Sequence, residues 1–174
     1  MDFNIIIPAR YESTRLPGKP LIDIAGIPMV IRTAMQASKS GAQHVIIATD
    51  DEKIKNTADK YGFEALMTDK GHPSGTDRVL DIANQKAWPI DEIIINVQGD
   101  EPLIDPELIK LIAKALQEVN VNYVSASSNF KNFNEYLNPN NVKVVCDKNR
   151  FASEFYRDPL VKNKKYWNPE KYFH

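Results

Sequence analysis

The run Ile93-Ile94-Ile95-Asn96-Val97 reads as a strand whose apolar character is continuous rather than alternating. Such a strand has to be covered on both faces, as the strands of a parallel sheet are. Phe3–Ile7 and Val45–Thr49 are further runs of strand length, and Glu64–Thr68 is a weaker one. Amphipathic stretches separate them. Pro28–Ser40 carries Val30, Ile31, Ala34, Met35 and Ala37 near helical spacing, with Gly41 placed to end it. Glu52–Tyr61 predicts a short helix stopping at Gly62, and Thr76–Lys86 one that carries Val79, Leu80, Ile82 and Ala83. Asp105-Pro106-Glu107 supplies an N-cap, a first-turn proline and a first-turn acid to a helix burying Leu108, Ile109, Ile112, Ala115, Leu116 and Val119. Strands and helices in this order predict an α/β fold, a doubly wound and mostly parallel sheet.

After Asn120 the rhythm changes. Tyr123–Ser127 reads as a strand, Asn129–Asn141 as loop or short helix, and Val142–Cys146 as another strand. Asp147-Lys148-Asn149-Arg150 is a turn leading into Phe151–Tyr156. The segment Lys162–His174 is basic and aromatic, and Tyr172-Phe173-His174 looks like the start of a strand.

Composition excludes several classes of function. Twenty-two basic residues against 23 acidic ones give no general positive field for a nucleic acid. A single cysteine, Cys146, rules out an internal disulfide and a zinc site built from several thiolates, and its apolar neighbours give it a packing role. The first residues lack a secretory pattern, and no apolar run approaches the roughly 18 residues that a spanning helix needs. The expectation is a soluble cytoplasmic protein with no membrane partner.

Ligands of open α/β sheets collect at the carboxyl ends of the strands. The first strand opens into PARYESTRLPGKP, which holds Arg10, Arg15 and Lys19 with Glu12 and Gly18 among them. This is no Walker A loop, since Pro20 follows Gly18-Lys19, and nothing matches a dinucleotide fingerprint. What remains is neutralisation of a polyphosphate by side chains, arginine as a fork and lysine as a mobile point charge. Asp50-Asp51 after the second strand reads as helix capping in preference to metal binding. Ser74-Gly75-Thr76-Asp77-Arg78 opens a helix and either reads a base or phosphate or places Thr76 as an N-cap. In Gln98-Gly99-Asp100, the Asp100 carboxylate suits Mg²⁺, which takes one or two carboxylates plus substrate phosphates; alternatively Asp100 or Glu101 caps a turn. His44 reads as structural or exposed, and His72 lies in a loop where it could reach a ligand.

Together PARYESTRLPGKPL, HPSGTDR and NVQGDEP resemble the 3-deoxy-manno-octulosonate (KDO) cytidylyltransferases, also called CMP-KDO synthetases. The resemblance runs from the first strand to the last residue, and three spaced motifs in order make it specific. Sialic-acid cytidylyltransferases share the fold and match less well. The resemblance implies a nucleotide-diphospho-sugar transferase-like Rossmann variant. Residues 1–122 would form the CTP-binding core, and 123–174 an incomplete, β-rich part for sugar binding and dimerisation. It implies that Pro8, Ala9, Arg10, Arg15 and Lys19 line the CTP site, the three cations embracing the triphosphate. Ser74, Gly75, Arg78 and Gln98 would hold the cytidine half, and Asp100 would ligate Mg²⁺. Arg10, Lys19 and Asp100 would be catalytic, and Arg157 and His174 would face the sugar acid. The implied reaction joins CTP and KDO into CMP-KDO and pyrophosphate for lipopolysaccharide synthesis.

Members of this family continue past the position of His174, with an acidic pair for the sugar and a second metal-binding aspartate. The expectation is therefore a C-terminally truncated member that binds CTP–Mg²⁺ weakly and turns over little, its family homodimer compromised and part of its sheet edge unpaired. The alternatives are a cytidylyltransferase for a related sugar acid, 8-amino-KDO or a sialic acid, and a non-catalytic CTP-binding fragment.

Overall fold

The computed structural model describes residues 2–12, 16–119, 121–168 and 172–174. They fall into two compact units, Met1–Val124 and Ser125–His174. The first unit is built on β1 (Asn4–Ala9), whose alternating side chains serve two cores. Ile5, Ile7 and Ala9 face one side and Ile6 the other, as a period of two requires. A 3-10 turn at Lys19–Leu21 follows, then the small hairpin of β2 (Asp23–Ile24) and β3 (Ile27–Pro28), which periodicity does not predict. Next come α1 (Met29–Ser38), β4 (His44–Thr49), α2 (Glu52–Lys60), β5 (Glu64–Met67), α3 (Gly75–Gln85), β6 (Ile94–Asn96) and α4 (Pro106–Glu118).

The main sheet has the order β5-β4-β1-β6, and all its pairings are parallel. Val30, Ile31, Ala34 and Ala37 of α1, Ile54 and Ala58 of α2, and Ile109 and Ala113 of α4 cover one face. Ile82 and Val79 of α3, with Trp88, cover the other against Ile6, Ile46 and Ala48. Helices on both faces of a parallel sheet make this the doubly wound architecture. Chain order steps from β1 outward to β4 and β5, then returns to place β6 on the opposite side of β1. The reversal lies between β1 and β6, so the loops following these strands share one rim.

Two expectations are corrected here. β6 is not a strand covered throughout: it closes one edge of the four-stranded sheet, and Asn96 within it is exposed. Its apolar residues reflect burial of Ile95 beneath α4 more than a central position. Tyr123–Ser127 forms no strand. Tyr123 is 76% exposed, and without a partner ladder an extended segment has nothing to satisfy its backbone groups except water.

The second unit contains α5 (Phe133–Leu137), β7 (Lys143–Cys146), β8 (Ala152–Tyr156) and β9 (Tyr172–Phe173). These strands form an antiparallel sheet in the order β8-β7-β9. Its small core gathers Phe130 and Tyr136 with Phe133, Val145, Tyr156 and Trp167. Cys146 is half-buried on β7. Lys143 is fully buried, and its ammonium donates to the carbonyls of Asn138 (2.7 Å), Asn141 (3.0 Å) and Arg157 (2.6 Å). Burial holds its pKa below the ordinary lysine value. Among the described residues, no helix is long and apolar enough to cross a membrane.

Candidate functional site

Where the loops after β1 and β6 meet, a cleft of about 540 Å³ opens. Pro8, Ala9, Arg10 and Lys19 line it from β1 and its loop; Ser74 and Gly75 from the start of α3; Gln98, Gly99 and Asp100 from the loop after β6. The two loops approach very closely. A Cβ on Gly99 would sit 2.9 Å from the Pro8 carbonyl oxygen, and one on Gly75 would sit 3.3 Å from the Pro8 ring. Position 99 therefore has room for no side chain. The Thr33 hydroxyl of α1 lies 3.2 Å from both the Gly99 carbonyl and the Met29 carbonyl of its own helix, sharing its proton between the loop and the helix.

Lys19 is presented by a turn in which Gly18 takes φ 71°, a left-handed conformation that glycine adopts without strain. The Gly18 N–H closes the loop onto the Tyr11 carbonyl at 2.8 Å. The Lys19 ammonium reaches across the cleft to Asp100 Oδ2 at 2.5 Å, both side chains nearly half-exposed. Arg10 donates from Nη2 to the His72 carbonyl at 2.7 Å, which leaves other guanidinium N–H groups for an anion. Arg15 lies outside the described residues.

Ser74, not Thr76, is the N-cap of α3. Its hydroxyl and backbone N–H pair reciprocally with Asp77 in a capping box. Hydrogen bonding to Ser74 holds the Asp77 pKa below the usual aspartate value. The His72 ring is engaged by Asp81 at 2.7 Å. Gln85, and then His72, lower the Asp81 pKa in the same way. Of Asp50-Asp51, only Asp51 caps α2, accepting from the Lys53 N–H at 2.7 Å. Asp50 instead receives the Tyr11 N–H (3.3 Å) and Arg78 Nη2 (2.9 Å). The Arg78 side chain is wholly buried and also hydrogen-bonds the Thr68 hydroxyl, so it stands behind the cleft wall rather than in it. Thr33 is a site-shaping residue that the sequence did not single out, while Asp50, read there as a helix cap, and Gly99, read only as part of Gln98-Gly99-Asp100, shape the site as well. The signal for the last two is that both follow strands at the carboxyl-end rim. His44 is exposed and lies near Trp88.

In the second unit, Arg157 is exposed and turned toward the carbonyls of Pro139 (3.5 Å) and Asn140 (3.4 Å). His174 pairs with Ser128 through ring and backbone, and its ring lies 4.8 Å from that of Phe130. Among the described residues, no group of three or more His, Cys, Asp or Glu side chains could hold a metal ion by itself. Two carboxylates line the cleft, those of Glu12 and Asp100, and Asp100, beside Lys19, suits a hard cation whose remaining ligands are substrate oxygens and water.

Residues 4–173 match a family model described as cytidylyltransferase. The chain belongs to the cytidylyltransferase family. The chain is 49% identical to the 3-deoxy-manno-octulosonate cytidylyltransferase of Neisseria meningitidis serogroup A, over 91% of its own length and 63% of the relative's. It is 46% identical to the enzyme of that name from Haemophilus influenzae, over 92% of its own length and 63% of the relative's. It thus spans less than two thirds of the length of these curated relatives. A solved CMP:2-keto-3-deoxy-manno-octonic acid synthetase complexed with CTP superposes with a TM-score of 0.80 at 32% identity, over 99% of this chain and 70% of that one. A cytidylyltransferase from Leptospira borgpetersenii gives a TM-score of 0.55 at 25% identity, over 68% of this chain and 50% of that one.

Proposed function

We propose that the cleft binds CTP together with Mg²⁺ and transfers its cytidylyl group to KDO, giving CMP-KDO and pyrophosphate. The observation that carries the reading is the arrangement at the β1/β6 rim. There Arg10 and Lys19 stand opposite Asp100, around a neck shaped by Gly75 and Gly99. The relatives named for this reaction, and the CTP complex of one of them, support the choice of nucleotide and sugar acid.

In this reading Pro8, Ala9, Ser74, Gly75 and Gln98 hold the nucleoside half, and Arg10, Arg15 and Lys19 the phosphates. Asp100 holds Mg²⁺, which supplies charge neutralisation on the phosphate oxygens when bound. The anomeric hydroxyl oxygen of KDO forms a bond to the α-phosphorus as the bond from that phosphorus to the β-bridging oxygen breaks. The electron pair leaves with pyrophosphate, and the hydroxyl proton passes to water. Arg10 and Lys19 stabilise the charge that accumulates on the leaving group, so positioning and neutralisation do the work without a protein nucleophile. Arg157 and His174 are proposed as contacts for the sugar acid. A cytoplasmic location and the family's homodimeric state belong to the same proposal.

The test is pyrophosphate release from CTP with Mg²⁺ and KDO, with 8-amino-KDO and sialic acid run in parallel. KDO-dependent release that falls at least a hundredfold in Lys19→Ala and Asp100→Ala is the expected result, on the order of one lost transition-state contact. Faster release with another sugar acid reassigns the acceptor. CTP binding with no release from any acceptor reduces the reading to nucleotide binding, and absence of CTP binding overturns it.

A further inference from the structure

The loop that carries Arg10 is held from behind by a buried ion pair. Asp50, immediately after β4, is 9% exposed, and Arg78, on the first turn of α3, is fully buried. One Asp50 oxygen accepts the Tyr11 N–H at 3.3 Å and the other accepts Arg78 Nη2 at 2.9 Å. Arg78 also donates to the Thr68 hydroxyl, which in turn donates to the Thr49 carbonyl at 3.1 Å. The carboxylate therefore joins three segments: the β1 loop, the end of β4 and the start of α3. One other contact fastens the same loop to the α3 side, Arg10 onto the His72 carbonyl. The Gly18 N–H holds the Tyr11 carbonyl from within the loop, and Asp50 holds the Tyr11 N–H from outside it, gripping the backbone next to Arg10.

Replacing a buried ion pair by an apolar pair of similar volume is often neutral for stability, so this pair is weak evidence for a stabilising role. A carboxylate does one thing an apolar side chain cannot: it fixes the Tyr11 N–H in direction and depth. Arg78 lines no cleft here, and Asp50 lines only the adjoining one, with Arg10, Tyr11 and Glu12, not the cleft between Arg10, Lys19 and Asp100. Resting on the reading that this cleft takes CTP, we propose that Asp50 and Arg78 are positioning residues for its triphosphate. They set the Arg10 segment at the spacing a triphosphate needs, and Arg78 touches no ligand. The phosphates beyond the first depend most on that segment. The pair consequently controls the preference for CTP over CMP.

The experiment is calorimetric titration of the wild-type chain and its variants with CTP and with CMP, Mg²⁺ present throughout. Asp50→Asn and Arg78→Met are each expected to weaken CTP about tenfold or more while CMP stays within about twofold, as a small displacement of a binding group would do. The fitted stoichiometry reports the folded fraction separately from affinity. If either single variant fails to fold, Asp50→Leu/Arg78→Met buries no unpaired charge and carries the test, with the same loss of CTP preference expected. Loss with Arg78→Met but not with Asp50→Asn makes Arg78 a direct contact and overturns the proposal. Equal weakening of CTP and CMP, or no change, also overturns it. A wild-type chain that binds no CTP refutes the nucleotide reading and this inference together, and the wild-type titration alone reveals that case.

Discussion

Removing Lys19 should make the cleft a better metal site and a worse nucleotide site. Its ammonium and the Asp100 carboxylate are 2.5 Å apart, so a cation at Asp100 or an anion at Lys19 competes with that contact. Two unit charges at that distance attract by about 1.7 kcal/mol in water. The side chains are 40% and 46% exposed, and ordering a long lysine opposes the attraction, which leaves about 0.2–1 kcal/mol for the pair. Lys19→Met releases Asp100 from that competition. Mn²⁺, a spectroscopic stand-in for Mg²⁺, should then bind the nucleotide-free protein up to about fivefold more tightly, the equivalent of about 1 kcal/mol. Asp100→Asn should act in the opposite sense, freeing Lys19 so that CTP binds more tightly in the presence of a chelator. The assay is loss of the free Mn²⁺ paramagnetic signal during titration, paired with calorimetry for metal-free CTP. The gain should shrink as salt screens the pair. Unchanged or weaker Mn²⁺ binding in Lys19→Met, or weaker metal-free CTP binding in Asp100→Asn, would refute the reasoning.

Two further outcomes follow from the site's geometry. Gly99→Ala places a Cβ 2.9 Å from the Pro8 carbonyl. It should lower stability in urea by about 1–3 kcal/mol, the ordinary range for overpacking against unyielding atoms, and weaken CTP binding with it. Asp77 has its pKa depressed in the folded chain by the Ser74 hydrogen bond. Its contribution is therefore complete above the unfolded aspartate value of about 3.9 and is lost as pH falls through the lower folded value. Thermal melts across the acid range should show that slope flattened in Asp77→Asn; an identical slope in both proteins would contradict it.

The elements that the sequence announces are those whose cause is local. Asp105-Pro106-Glu107 starts α4 because cap, proline and acid act within one turn. β1 and β4 are evident because their residues are buried on both faces. The place of β6 at a sheet edge depends on which strand lies beside it, and no residue of Ile93–Val97 states that. Tyr123–Ser127 has strand-like composition but pairs with no strand among the described residues, which is a tertiary fact. In the cleft, strand-end position brought Arg10, Lys19, Gln98 and Asp100 together on paper, and the fold gathers them around one opening. The burial of Arg78 was not legible, because a charged residue at a helix start looks alike whether it faces a ligand or Asp50. The parting of Asp50 from Asp51 was hidden for the same reason: adjacent identical residues face different surroundings once β4 ends and α2 begins.

The Lys143 ammonium has its protons directed at three carbonyls from separate parts of the second unit. The free lone pair of a neutral, accessible amine attacks an acylating reagent, and the Lys143 ammonium, buried and donating to three carbonyls, offers neither lone pair nor access. The side chains of neighbours such as Lys148, Lys162 and Lys164 are exposed to solvent. Lys143 is thus a natural chemical timer: its labelling, read by peptide mass, advances only during the moments when the 138–141 segment and the end of β8 let go. Counting that one modification against its fast-reacting neighbours measures how often the second unit opens, with no probe introduced.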